Sequence, residues 1–101
     1  MRQPQQPATE SITLTGVLHA LSDPARLEIV KSLQNGREKP CSEFGLRGKT
    51  TMSHHLKVLR EAGVTHTRVE GRCRFTSLRE RDLEARFPGL LEAVLSARKP
   101  F

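Results

Sequence analysis

Three sets of side chains in this sequence could do chemistry. The first is a polar run at helical spacing, Thr51, His54 and Lys57, followed by Arg68, Arg72 and Arg74. Hydroxyl, imidazole, ammonium and guanidinium donors of this kind suit a polyanion. The second is the pool of metal-binding or redox groups, Cys41, Cys73, His19, His54, His55 and His66. None of these share a ligand-like spacing on one element, although folding could still bring Cys41 near His54 or His55. The cysteines stand 32 positions apart and form neither a CxxC unit nor a disulfide framework, which fits a reducing cytoplasm. The third is Ser53-His54, which is not a catalytic pair, because a nucleophile, a base and an orienting acid must converge. With no G-x-S-x-G, H-E-x-x-H or phosphate loop present, an enzyme is not expected.

The charge distribution favours the first set. The chain has 101 residues and a net charge of +6, and residues 41–79 hold eight basic against three acidic residues, so five of the six excess charges lie in that third. A basic excess in one contiguous stretch is what a phosphate-binding surface needs, since each neutralised phosphate releases counterions. Charge alone leaves a merely solvated basic face open as the alternative.

The elements that must position these residues follow from periodicity. Residues 1–10 are rich in Pro and Gln and read as a disordered polar tail, with a single domain over 11–98. Leu14, Val17, Leu18 and Leu21 mark one face of a first helix. Asp23-Pro24 is a helix start, and Asn35-Gly36 a stop, bracketing Leu27, Ile29, Val30 and Leu33. Arg37 to Pro40 reads as a polar loop, and at best a short helix spans Cys41 to Phe44. Thr50 or Thr51 then caps a helix whose Met52, Leu56 and Leu59 face inward and whose Thr51, His54, Lys57 and Glu61 face outward. After Gly63 the period switches to 2, with Gly71-Arg72 joining two strands whose buried face would carry Val64, Val69, Phe75 and Cys73. A last helical pattern runs through Leu83, Phe87, Leu90, Leu91, Val94 and Leu95, interrupted at Pro88-Gly89.

Composition bounds the rest. With 36% hydrophobic residues, no Trp or Tyr and four Phe, the core must be aliphatic and modest. No stretch approaches the roughly 20 apolar residues of a membrane span, and the N-terminus lacks the apolar core of a secretory signal, so a soluble cytoplasmic protein is expected.

This order of elements, mainly α with a small β-hairpin, is that of a winged helix-turn-helix. A helix about 10 to 12 Å across fits the major groove of double-stranded DNA, while the hairpin lays Arg68, Arg72 and Arg74 along the flanking backbone or minor groove. Helix one and the 83–95 stripe hold more apolar area than so small a chain can cover, which points to a homodimer through Leu14, Leu18, Leu83, Phe87, Leu91 and Leu95.

Three blocks also carry a family resemblance: Leu21-Ser-Asp-Pro-Ala-Arg-Leu-Glu-Ile-Val30, Met52-Ser-His-His-Leu-Lys-Val-Leu-Arg-Glu-Ala-Gly63 and Val69-Glu-Gly-Arg72. They resemble the signature blocks of ArsR-type (arsenic-repressor-like) winged helix regulators. The resemblance spans residues 12–95. It implies a homodimer built from the first and last helices, most simply a repressor, which binds an inverted-repeat operator and reports on a chemical signal. It makes Ser53 to Leu56 the centre of the recognition helix, with Thr51, His54 and Lys57 on the DNA face and Ser53 and Arg60 on phosphates. His55 either packs within the domain or bonds a phosphate.

The sequence departs from the metal-sensing members. Many of these carry Cys-x-Cys directly before Glu-Leu, whereas Glu43-Phe44 follows Pro40, Cys41 and Ser42, and residues 80–98 contain no histidine. No metal or other cofactor is therefore expected. A metal- or thiol-responsive regulator using a non-standard site or a partner protein, and a winged-helix module for protein contacts, remain as alternatives.

Overall fold

The computed structural model describes residues 3–47 and 49–101, with side chains at 45–50 outside the description. Among these residues five α-helices enclose an aliphatic core beside a three-stranded antiparallel sheet: a 3-10 turn (Thr9–Ser11), α1 (Leu14–Ala20), α2 (Pro24–Ser32), β1 (Glu38–Pro40), a 3-10 helix (Cys41–Arg47), α3 (Lys49–Glu61), β2 (Thr65–Glu70), β3 (Cys73–Leu78), α4 (Glu80–Arg86) and α5 (Leu90–Ser96).

Local chemistry sets the boundaries. Thr13 caps α1 by accepting from the Gly16 amide at 3.1 Å. Asp23 caps α2 by accepting from Ala25 and Arg26 amides at 2.8 and 3.3 Å, with Pro24 at the first helical position. Beyond α2 the chain turns through Asn35 and Gly36, both at positive φ. The α4–α5 break falls at Pro88-Gly89, where Gly89 adopts φ +85°. Helix α3 starts at Lys49, ahead of the expected caps; Thr51 lies inside it, and the Thr50 side chain is outside the description.

The core is aliphatic, as the composition requires: Ile12, Val17, Val30, Leu33, Leu59 and Val64 are at most 1% exposed. Leu83 and Leu91, expected at a dimer interface, are buried against this same core at 2% and 7% exposure. Phe87 and Leu95 pack partly against it, whereas Leu14 and Leu18 stay 46% and 47% exposed.

The sheet differs from the expected hairpin in two ways. The segment read as a polar loop contributes β1, so the order is β1-β3-β2, with Glu38 opposite Ser77 and Pro40 opposite Phe75. Three residues, one of them a proline that cannot donate, leave no alternation to detect, yet they suffice at an edge. The inward face consists of Thr65, Thr67, Thr76 and Leu78 with the half-buried Val69 at its end, and Phe75 and Cys73 lie on the opposite face. Cys73 is exposed. A β-branched threonine packs much like valine, and a polarity-based pattern misses it.

The N-terminal segment, expected as a polar tail, has contacts elsewhere in the chain. Residues 3–10 lie along the wing: Gln3 and Gln6 bond to β2, Arg79 donates to the Pro7 carbonyl at 2.7 Å, and Thr9 donates to Asp82 at 2.8 Å. Low hydropathy hides this segment because its attachments are polar ones made to distant residues.

Candidate nucleic-acid interface

Helix α3 has two chemically distinct faces. Leu59 is fully buried, and Met52, Leu56 and Val58 pack against the core. Thr51, Ser53, His54, Lys57 and Glu61 are exposed. Positions 51, 54 and 57 advance by three and share one side of the helix, so a hydroxyl, an imidazole and an ammonium project together from a rigidly seated rod.

His55 is turned the other way. Its Nδ1 lies 3.2 Å from Nη1 of Arg26, and because a guanidinium only donates, this ring nitrogen must accept. Arg26 is 8% exposed and also donates through Nε to the Ala20 carbonyl at 2.6 Å and through Nη2 to the His19 carbonyl at 3.4 Å. One buried side chain thus gathers the end of α1, the body of α2 and the middle of α3. The geometry supports the packing role for His55. Arg60 is half-buried, and its Nε is enclosed without a hydrogen-bond partner among the described residues, so only part of this side chain can reach outward.

The wing is formed by β2 and β3 around Gly71, whose φ of +59° makes the tight turn and whose missing Cβ faces open space. Arg72 and Arg74 are exposed beside it. Arg68 is engaged. It donates to Glu38 at 2.8 and 3.3 Å and to Glu70, and its guanidinium sits 4.7 Å from the Phe75 ring centroid. The Arg68 hydrogen bond holds the Glu38 carboxyl below its ordinary value, against a smaller opposing push from burial. Sequence reasoning could not foresee this, because Glu38 sits on the strand that it missed.

The thiols are separate. Cys41 is half-buried, and burial pushes its thiol up against the opposing pull of Arg74 and Arg60. Among the described residues no three His, Cys, Asp or Glu side chains converge as a ligand set.

A core-anchored helix with a polar outer stripe, preceded by a buried helix and followed by a basic β-wing, defines a winged helix-turn-helix protein. The family described as "Bacterial regulatory protein, arsR family" matches residues 23–66. The uncharacterized HTH-type transcriptional regulator YceK of Bacillus subtilis (strain 168) is 44% identical over 82 residues, covering 77% of this chain and 82% of that protein. A second HTH-type transcriptional regulator, from Methanocaldococcus jannaschii, is 37% identical over 62 residues, covering 58% of this chain and 70% of its own length. Among solved structures, reduced HlyU from Vibrio cholerae N16961 superposes with a TM-score of 0.59 at 26% identity, over 72% of this chain and 86% of that one. An ArsR family transcriptional regulator superposes with a TM-score of 0.66 at 24% identity, over 84% and 98%, and shares the fold. The chain belongs to the ArsR family of winged helix transcription regulators. No helix among the described residues is long and apolar enough to cross a membrane.

Proposed function

We propose that this protein is a cytoplasmic homodimeric repressor that occupies an inverted-repeat operator in double-stranded DNA. The observation that carries this reading is the exposed Thr51, His54 and Lys57 stripe on a helix whose opposite face is locked into the core. Those three side chains read base edges, Ser53 and the outer part of Arg60 contact phosphates, and Arg72 and Arg74 grip the flanking backbone. Ser53 and His54 act as surface donors in this role, and no catalytic step is assigned to them. Arg68 supports the wing from within its Glu38 and Glu70 pairs, and His55 supports α3 through Arg26.

Leu14 and Leu18 carry the dimer reading, because leucines exposed at 46% and 47% on one helical face are apolar surface in need of a cover. Phe87 and Leu95 would border that contact. Leu83 and Leu91 act from beneath, by shaping the face. Leu18→Glu is therefore the informative variant: it alters exposed surface and should yield monomer in sedimentation with the fold retained. A dimer that persists would move the interface elsewhere.

Selection of bound genomic fragments, followed by a salt series on the recovered site and on random duplex, tests the main reading. Phosphate binding predicts that log K falls with log salt by about 0.9 per neutralised phosphate. Affinity independent of both salt and sequence would sink it. The same selection repeated with divalent metals, chelator and oxidant tests whether a signal acts through Cys41, Cys73 or a partner.

A further inference from the structure

The outer edge of the wing is where an unassigned interaction lies. In the order β1-β3-β2, strand β2 is an edge, and among the described residues one of its two sides has no strand beside it. A two-residue turn at Gly71-Arg72 places Glu70 opposite Cys73 and, by alternation, leaves the backbone N–H and C=O of Thr67 and Val69 pointing outward. Open pairs of this kind are a template for another strand.

Both pairs are occupied by side chains of the N-terminal arm. The Gln6 amide donates through Nε2 to the Thr67 carbonyl at 2.9 Å and accepts through Oε1 from the Thr67 amide at 2.7 Å. The Gln3 amide does the same at Val69, at 3.0 and 2.8 Å. A primary amide carries the donor and acceptor of a peptide group, so each glutamine replaces one residue of a neighbouring strand. The sequence Gln3-Pro4-Gln5-Gln6-Pro7 explains why side chains are used: prolines have no N–H to offer a ladder, and each holds the glutamine before it in an extended backbone. The arm is anchored further on by Arg79 at the Pro7 carbonyl and by Thr9 at Asp82.

The two clamps are placed where the wing lacks other support. Strand β1 braces β3 only as far as Phe75, whereas the Gln3 clamp reaches Val69, which lies opposite Arg74. An isolated two-stranded hairpin is marginal in water, so this lateral support decides how well the tip is held.

We propose that the outer edge of β2 is a strand-docking surface that the chain fills with its own N-terminal arm, and that Gln3 and Gln6 are positioning residues for the DNA-gripping Arg72 and Arg74. The second half rests on the function proposed above; the first half does not.

The test uses the full chain carrying Gln3→Ala and Gln6→Ala together, and a second variant with Gln3→Glu and Gln6→Glu. Alanine removes both halves of each clamp, whereas a carboxylate can still accept from the amides but repels the carbonyls to which it cannot donate, so the clamp should be lost in the first variant and weakened in the second. Exchange of the Thr67 and Val69 amides should quicken by about tenfold or more in the first variant and by less in the second, while the amide of Leu59 in the core is unchanged. Affinity for a random-sequence duplex should fall several-fold in the first variant, and any new concentration-dependent self-association would report pairing of the freed edge with a second copy. Unchanged exchange at Thr67 and Val69 would overturn the docking surface. Faster exchange with undiminished duplex affinity would overturn the positioning role. Arg72→Ala in the arm-intact protein separates the two levels: if it leaves duplex affinity and salt slope untouched, the wing's role in DNA binding fails, and the exchange result stands on its own.

Discussion

Arg26 Nη1 and His55 Nδ1 meet at 3.2 Å across the junction of α2 and α3, with the rest of the Arg26 guanidinium bonded to carbonyls at the end of α1. The packing of α2 against α3 is thus held by a hydrogen bond, in addition to apolar contacts. The outward stripe on α3 inherits its aim from this contact.

Replacing His55 by alanine should therefore cost about 1 to 3 kcal/mol, because it leaves a buried guanidinium N–H unpaired. Asn, whose Oδ1 can take the place of Nδ1 as an acceptor, should recover much of the loss. Thermal denaturation of His55→Ala beside His55→Asn checks this. Equal losses would mean that ring volume, and not the hydrogen bond, is what α3 requires. Arg26→Lys should be poorly tolerated, since one ammonium cannot reach two carbonyls and an imidazole in the guanidinium's fixed geometry.

The wing carries its own restraint on DNA binding. Glu38 and Glu70 pair with Arg68 and offset its charge on the wing. Changing both acids to glutamine should free the guanidinium, raise affinity for random duplex and steepen the salt dependence by about one phosphate contact, near 0.9 in slope. A salt series by fluorescence anisotropy reads both quantities. Unchanged slope and affinity would show that Arg68 faces away from the DNA.

The two thiols should differ in reactivity. Cys73 is exposed between Arg72 and Arg74, whereas Cys41 is half-buried with its thiol pushed up by burial, which lowers its thiolate fraction. At neutral pH, N-ethylmaleimide should modify Cys73 several times faster, and bound duplex should slow that reaction selectively. Peptide mass mapping would reveal the opposite order if the assignment is wrong.

Much of this architecture was legible in the residues, for identifiable reasons. Asp23-Pro24, Asn35-Gly36, Gly63 and Gly71-Arg72 act through local backbone chemistry, so their positions mark element ends without knowledge of the fold. The outward face of α3 was legible because Met52, Leu56 and Leu59 fix the inward one. What escaped depends on distant partners. Strand β1 exists because β3 offers it an edge. Thr65, Thr67 and Thr76 form an inner face only because the helices close over them. Arg68 and His55 look available in sequence and are engaged in the fold by Glu38 and Arg26, which come from other elements. The same holds for Leu83 and Leu91: periodicity identifies an apolar stripe but does not tell a chain's own core from a partner's.

Acid stability should depend on the joint between the arm and α4. The hydrogen bond from Arg79, then that from Thr9, hold the Asp82 carboxyl below its ordinary value in spite of partial burial. A carboxyl lowered in the folded state contributes stability that is complete above its unfolded value near 4 and is lost as pH falls through the folded one. Asp82→Asn should thus destabilise by about 1 kcal/mol or less at pH 7, given the solvent screening of a partly exposed pair, and the gap should narrow as the pH is taken below about 4. Urea melts at neutral pH and in acid test this. A gap that persisted in acid would assign the effect to packing.

Gly63 ends α3 and begins the turn into the wing at φ +85°, a conformation that L side chains rarely adopt. A Cβ there would stand 2.6 Å from Cγ1 of Ile12 and 3.3 Å from Cγ of Pro7. Ile12 is 1% exposed, so it has little room to yield. Strain and overlap act together at this one position, where the arm, the core and the wing converge. Gly63→Ala should cost about 2 to 4 kcal/mol and lower the melting temperature by roughly 10 °C or more. Ile12→Val should relieve part of the overlap in the double variant, so that the two substitutions are less than additive. Full additivity would place the cost in the backbone alone, and a melting temperature unchanged by Gly63→Ala would mean that the arm does not press on the end of α3.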